Sequence, residues 1–152
     1  MDVLRGPHRG GAARPLERKH PHAADPTLEA LLAVLVEPRE EVWAALRDER
    51  RHRGDFGLWQ VSQDHPGIDP NGYWRGAAWA PLEYLFWTAA RRQGRQRLAV
   101  ELGERFVRGA AASGLAEYWN PADGTGHGAR PQSWTGLALL VERWLHAGSG
   151  AS

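Results

Sequence analysis

The sequence has no cysteine and one methionine. Disulfide staples and thiolate metal sites are therefore excluded, and a reducing compartment such as the cytoplasm is the expected location. Charge of one sign is lacking too: 19 Lys+Arg stand against 18 Asp+Glu, a formal net charge of +1. That balance leaves no global field to draw in nucleic acid or an anionic membrane. The longest apolar run, Leu31 to Val36, falls far short of the ~20 residues that span a bilayer, and residues 1–26 carry no apolar segment of the signal-peptide kind. Period-two alternation is also missing, so no half-buried strand is predicted and the fold class expected is all-α.

What is present divides the chain into three stretches. Residues 1–24 are rich in Gly, Arg, His and Pro and cannot bury enough apolar surface to offset ordering entropy, so a solvated, disordered basic tail is expected. Residues 25–147 carry helical periodicity, and residues 148–152 form a short terminal fray. Within the middle stretch, Leu28, Leu31, Leu32, Leu35 and Val36 repeat at helical spacing behind Asp25-Pro26-Thr27, and Pro38 ends that run. Val42, Trp43 and Leu46 then share one face of a segment spanning residues 39–51.

Residues 77–93 put Pro81 in the first turn and set Leu82, Leu85, Phe86, Ala89 and Ala90 over a broad face, with Gly94 as the stop. That breadth predicts a helix covered on both flanks in a closed ring but with one flank bare in this chain. Residues 95–112 have a narrower stripe of Leu98, Leu102, Phe106 and Val107. A last helix over residues 132–147 is predicted to turn Trp134, Leu137, Leu140, Val141 and Trp144 inward. About five helices in hairpins result, with long loops gathered at one end.

Two of those loops carry chemistry. Residues 54–72 hold Gly57, Pro66, Gly67, Pro70 and Gly72 around Trp59, Gln60, Gln63, Asp64 and His65. Residues 117–134 place Glu117 directly before Tyr118 and Trp119, in a stretch too rich in Gly, Pro and Asn for helix. Long ordered loops in a compact domain are usually functional. Just before the broad helix, Tyr73, Trp74 and Arg75 crowd together. Flat rings there can stack on the apolar face of a pyranose, and a guanidinium can bind hydroxyls or a carboxylate. Trp79 and Tyr84, at helical positions, are read as core. The run Gly124 to Gly128 lacks both the preceding strand and the lysine of a phosphate loop. Asp123 with His127, or Asp64 with His65, lacks a third ligand at recognised spacing. No metal or cofactor is implied.

Three ordered motifs carry a resemblance: Tyr-Trp-Arg-Gly-x-x-Trp at 73–79, Glu-Tyr-x-Asn-Pro-x-x-Gly-x-Gly at 117–126, and Ser-Trp-Thr-Gly at 133–136. Together they resemble the closing section of glycoside hydrolase family 63, on the branch of the glucosylglycerate and mannosylglycerate hydrolases. The resemblance implies part of an (α/α)6 barrel and an inverting attack on an α-glycoside of a small polar aglycone. In it, Glu117 occupies the place of the general base. Tyr73, Trp74, Arg75, Tyr118, Trp119, Asp64 and His65 become candidate substrate-binding residues. The family's general acid is an aspartate well upstream of Tyr-Trp-Arg-Gly, and nothing at that distance matches here; Ala77 also replaces the usual proline. The expectation is thus a carboxyl-terminal fragment of a glycosidase, inactive alone, whose partners are a small carbohydrate and either the missing barrel half or a second copy. A carbohydrate-binding pseudoenzyme is the alternative. An (α/α)6 epimerase-like protein would instead show paired cleft histidines.

Overall fold

The computed structural model describes residues 34–149. The predicted first helix, apart from a short turn at Val34 and Leu35, lies outside them, as does the basic tail. The order that follows is α1 (Glu40–Arg47), β1 (Arg53–Gly54), β2 (Gly57–Leu58), α2 (Ala80–Arg92), α3 (Gln96–Ala112), β3 (Tyr118–Trp119), β4 (Gly126–His127), a 3-10 turn (Ser133–Gly136) and α4 (Leu137–Ser149). None of the helices among the described residues is long and apolar enough to cross a membrane.

The helices start and stop where local chemistry directs. Glu40 and Glu41 occupy the first turn of α1 and Arg47 its last, complementing the helix dipole. In α2 the first turn holds Pro81, and Arg91 and Arg92 lie in the last turn. Gly94 beyond it takes φ +69°, a left-handed turn that side chains resist. The predicted start at Ala77 is three residues early. Ala77 and Ala78 are extended, because Ala78 exchanges both backbone hydrogen bonds with Trp119, at 2.8 and 3.2 Å.

The core gathers where α2, α3 and α4 meet. Phe86, Trp87, Ala89 and Ala90 of α2 lie against Leu98, Ala99, Leu102 and Phe106 of α3 and Ala138 and Val141 of α4, all buried. Arg91 lies over the rings of Trp87 and Trp144, 4.7 and 4.9 Å from their centres, which ties α2 to α4. At the other flank Trp43 of α1 donates its indole N–H to Gln93 at 3.1 Å.

Two expectations need correction. First, the loops are not free of strand: β1 pairs with β2 and β3 with β4, both antiparallel. Strands two residues long leave no alternation to read. Second, the bare apolar flank is on α4 and not on α2. Leu139 is 60% and Leu140 54% exposed, so Leu140 does not turn inward. Helix α4 is apolar over more than one face, and α2 and α3 cover only the face of Ala138 and Val141.

One close approach sets how the two loops sit on the helices. Gly109, inside α3, lies so near the β1–β2 hairpin that a Cβ there would be 2.1 Å from the Phe56 carbonyl oxygen and 2.3 Å from the Trp119 indole nitrogen. Alanine in a helix interior normally gains ~1 kcal/mol over glycine. We expect Gly109→Ala instead to destabilise the fold by about 1–3 kcal/mol through overpacking. Urea unfolding monitored by tryptophan fluorescence checks this; a variant as stable as the wild type would mean the hairpin and Trp119 do not press on α3.

Candidate active site

Glu117 immediately precedes β3, and each part of it is held. Its N–H donates to the Ala129 carbonyl at 2.9 Å, and its own carbonyl accepts the Trp134 indole N–H at 3.1 Å. The carboxylate is gripped at both oxygens: the Tyr73 hydroxyl donates to Oε1 at 2.8 Å, and the Ala129 N–H to Oε2 at 3.2 Å. Gly128 makes the second contact possible. Its φ is +73°, and a Cβ there would lie 2.5 Å from Oε2. Any side chain at 128 would therefore displace the carboxylate.

Tyr73 reaches Glu117 because the turn before α2 is braced. Asp69 donates its N–H to the Arg75 carbonyl at 2.8 Å and accepts the Asn71 N–H on its side chain at 3.1 Å. The Trp79 indole N–H bonds the Tyr73 carbonyl at 2.9 Å. Around Tyr73 the rings form a continuous wall. Trp74 stacks on Trp79 at 3.9 Å between centres, Trp79 stacks on Tyr118 at 5.1 Å, and Tyr118 stacks on His127 at 5.4 Å. Tyr73 meets Trp74, Trp79 and Tyr118 edge-on. The centre of the wall, Trp79, is buried, while Trp74 and Tyr73 are half exposed, at 49% and 50%. The wall thus presents ring surface beside a fixed carboxylate, an arrangement suited to a sugar ring.

The remaining candidates divide. Arg75 is exposed and donates to the Gly67 carbonyl at 3.3 Å, which links it to the turn of Asp64 and His65. Those two are engaged locally. Asp64 accepts the Ser62 hydroxyl at 2.7 Å, and that bond holds its carboxyl below the usual range. It is ionised at neutral pH, the wrong state for a general acid. His65 Nδ1 accepts the Gly67 N–H at 3.0 Å. Trp119 needs correcting: its ring is fully buried, stacked on Phe106 with its indole N–H on the Phe56 carbonyl. It anchors the loop in the core, whereas its neighbour Tyr118 faces the wall, because successive residues of a strand point to opposite sides.

Sequence reasoning missed Gly128, the Ala129 N–H and the bridge from His127 Nε2 to Asn71 Oδ1 at 3.1 Å, which joins the two loops. A Gly-x-Gly run shortly after a carboxylate is the trace Gly128 leaves. The pairing of Tyr73 with Glu117 leaves none. A groove of about 770 Å³ lies elsewhere, between α3 and α4, lined by Val100, Val107, Trp144 and Leu145 among others, and contains no candidate residue. No group of three potential metal ligands occurs among the described residues.

A helical scaffold presenting a doubly held carboxylate beside an aromatic wall fits a glycoside hydrolase domain. The chain belongs to that class, in the family of mannosylglycerate hydrolase MGH1-like glycoside hydrolase domains, whose profile matches residues 12–135. It is 38% identical over 74 residues to a mannosylglycerate hydrolase of Rubrobacter radiotolerans, covering 49% of this chain and 17% of that enzyme. It is 40% identical over 86 residues to a glucosylglycerate hydrolase of Mycolicibacterium hassiacum, covering 56% of this chain and 18% of that enzyme. The solved family 63 mannosylglycerate hydrolase of Thermus thermophilus in complex with glucose superimposes with a TM-score of 0.64 at 25% identity, over 76% of this chain and 30% of that one. The same enzyme in complex with Tris and D-glycerate gives 0.64 at 26%, over 76% and 29%. The chain therefore spans less than a third of the length of the relatives it matches.

The Tyr73–Glu117 bond has a titration signature. The carboxylate facing the phenol raises the Tyr73 pKa above its ordinary 10.0, first through the hydrogen bond. The bond is present while the phenol keeps its proton and is lost as pH rises through that higher value. In phenolate absorbance, with Tyr73→Phe subtracted to isolate this group, Glu117→Gln should return the midpoint toward 10.0. An unchanged midpoint would mean the two groups do not meet in solution.

Proposed function

We propose that this chain supplies the general-base part of an inverting α-glycoside hydrolase acting on a glucoside or mannoside of a small polar aglycone, glycerate being the type. The observation that carries this reading is the two-handed grip on Glu117, from the Tyr73 hydroxyl and the Ala129 N–H, inside the motif that resembles the family's base. An ionised carboxylate fixed in direction can take a proton from one water as that water attacks the anomeric carbon. A second carboxylic acid, on the opposite side of the scissile bond at ~6.5–9.5 Å, protonates the leaving oxygen. Trp74 and Tyr73 form the wall on which the sugar ring packs, Tyr118 backs it, and Arg75 binds hydroxyls or an anionic aglycone. Asp64 and His65 border the same loop-rich end.

In this reading the acid comes from outside the described residues. Asp64 and Asp123 are both held ionised by hydrogen bonds, the wrong state for a general acid. The exposed Leu139 and Leu140 of α4 and the groove between α3 and α4 are where further helices of an (α/α)6 barrel would pack. This agrees with how little of the relatives' length the chain spans.

The reading predicts that the chain alone hydrolyses glucosylglycerate and mannosylglycerate no faster than buffer. Supplying the preceding barrel segment of a relative, in trans or fused, should produce activity that Glu117→Gln lowers by roughly 100- to 10,000-fold, the range for loss of a general base. Turnover by the chain alone, or activity in the completed protein that survives Glu117→Gln, would contradict it.

A further inference from the structure

Helix α2 carries a carboxyl group that the proposed chemistry does not use. Glu83 is 2% exposed, on the face of α2 that also buries Phe86, Trp87 and Ala90, three, four and seven residues further on. Oε1 accepts the Leu58 N–H of β2, so close to the hairpin that a Cβ on Gly57 would lie 2.8 Å from it. Oε2 has no hydrogen-bond partner among the described residues. The far side of the same hairpin holds the Glu117 loop: the Phe56 carbonyl accepts the Trp119 indole N–H, and the Phe56 N–H donates to the Pro121 carbonyl at 2.9 Å. Glu83, the hairpin and the Glu117 loop thus lie in series.

The charged group facing Glu83 is Arg105 of α3. Around Arg105 in turn stand Arg53 of β1, Asp55 at the hairpin tip, and Glu101 and Arg108 of α3. Arg105 keeps a buried, unpartnered Nη1 and forms no hydrogen bond with Glu83, so it does not neutralise the carboxyl by contact. A buried carboxylate without a paired cation is strongly disfavoured, whereas the neutral acid still offers an oxygen to Leu58.

We propose that Glu83 is a positioning residue that seats the β1–β2 hairpin, and through it the Glu117 loop, as an un-ionised carboxylic acid, and that its ionisation loosens that seat. The inference concerns the backing of the loop and stands whether or not Glu117 is the base. Burial, opposed more weakly by the Leu58 N–H and by Arg105, raises the carboxyl from 4.5 to about 8. The sign follows. Between those values the folded chain keeps a proton that the unfolded chain releases, so the contribution of Glu83 to stability is fully present below 4.5 and is lost as pH rises to about 8. For one proton the unfolding constant rises about tenfold per pH unit across that window. Glu83→Gln keeps an oxygen acceptor for Leu58, cannot ionise, and should remove that dependence.

The test is NMR of the wild-type chain from about pH 5 to about pH 9.5, a range that brackets the raised carboxyl, reading the Glu83 side-chain carboxyl carbon, the Leu58 amide and the Trp119 indole N–H. All three should titrate together with a midpoint near 8. In Glu83→Gln the two N–H signals should stay flat, and Arg105→Gln should move the wild-type midpoint upward. The carboxyl signal needs no variant, so the proposal remains testable if Glu83→Gln does not fold. A carboxyl that titrates in the ordinary glutamate range, paired with Arg105 after all, would overturn the proposal. So would N–H signals that titrate equally in Glu83→Gln. A Leu58 signal that moves while Trp119 does not would refute the link to the Glu117 loop.

Discussion

The exchange of backbone hydrogen bonds between Ala78 and Trp119 is the constraint on which the other features of the site depend. It joins the last extended residues before α2 to the first strand of the Glu117 loop. Because side chains alternate along a strand, one joint sets two layers. Trp119 goes inward to Phe106 and the Phe56 carbonyl, while Tyr118 goes outward to stack on Trp79. Glu117, one residue earlier, is left at the edge of the wall, where Tyr73 reaches it. Were the register to slip by one residue, Tyr118 would enter the core and Trp119 would leave it. The aromatic wall and the core are thus two faces of one joint.

The helices support that joint more than they form the site. Helices α2 and α3 pack closely because α2 is apolar over a wide arc and α3 offers a narrow stripe. Gly109 lets the hairpin and Trp119 settle onto α3. The loops then rest on the helices, a support that the base role proposed for Glu117 would require. Where the helices are left uncovered, at Leu139 and Leu140, the chain has apolar surface suited to further packing.

The helices were legible in the sequence because their cause is local. Pro81, Gly94 and the spacing of Leu98, Leu102 and Phe106 each act within a turn or two of themselves, and the structure places the starts of α2 and α3 close to expectation. The motifs likewise pointed to Glu117, and the family profile agrees with the resemblance they carry. What stayed illegible is set by contacts between distant residues. Nothing near Glu83 in the chain says that a short hairpin will lie across it. Nothing near Trp119 separates a core ring from a cleft ring until the bridge to Ala78 is known. Leu140 reads as an inward residue on a helix whose apolar arc is wider than its neighbours cover.

The central claim is that Glu117 acts as a base on water in a single displacement, and the stereochemistry of the product tests it most directly. With the chain completed by the preceding barrel segment of a relative, proton NMR of the first sugar released from an α-linked glucosylglycerate or mannosylglycerate reports the anomer before mutarotation. A base at Glu117 predicts the β anomer first. First appearance of the α anomer would mean retention, a covalent intermediate and a nucleophile, and would contradict the role assigned to Glu117.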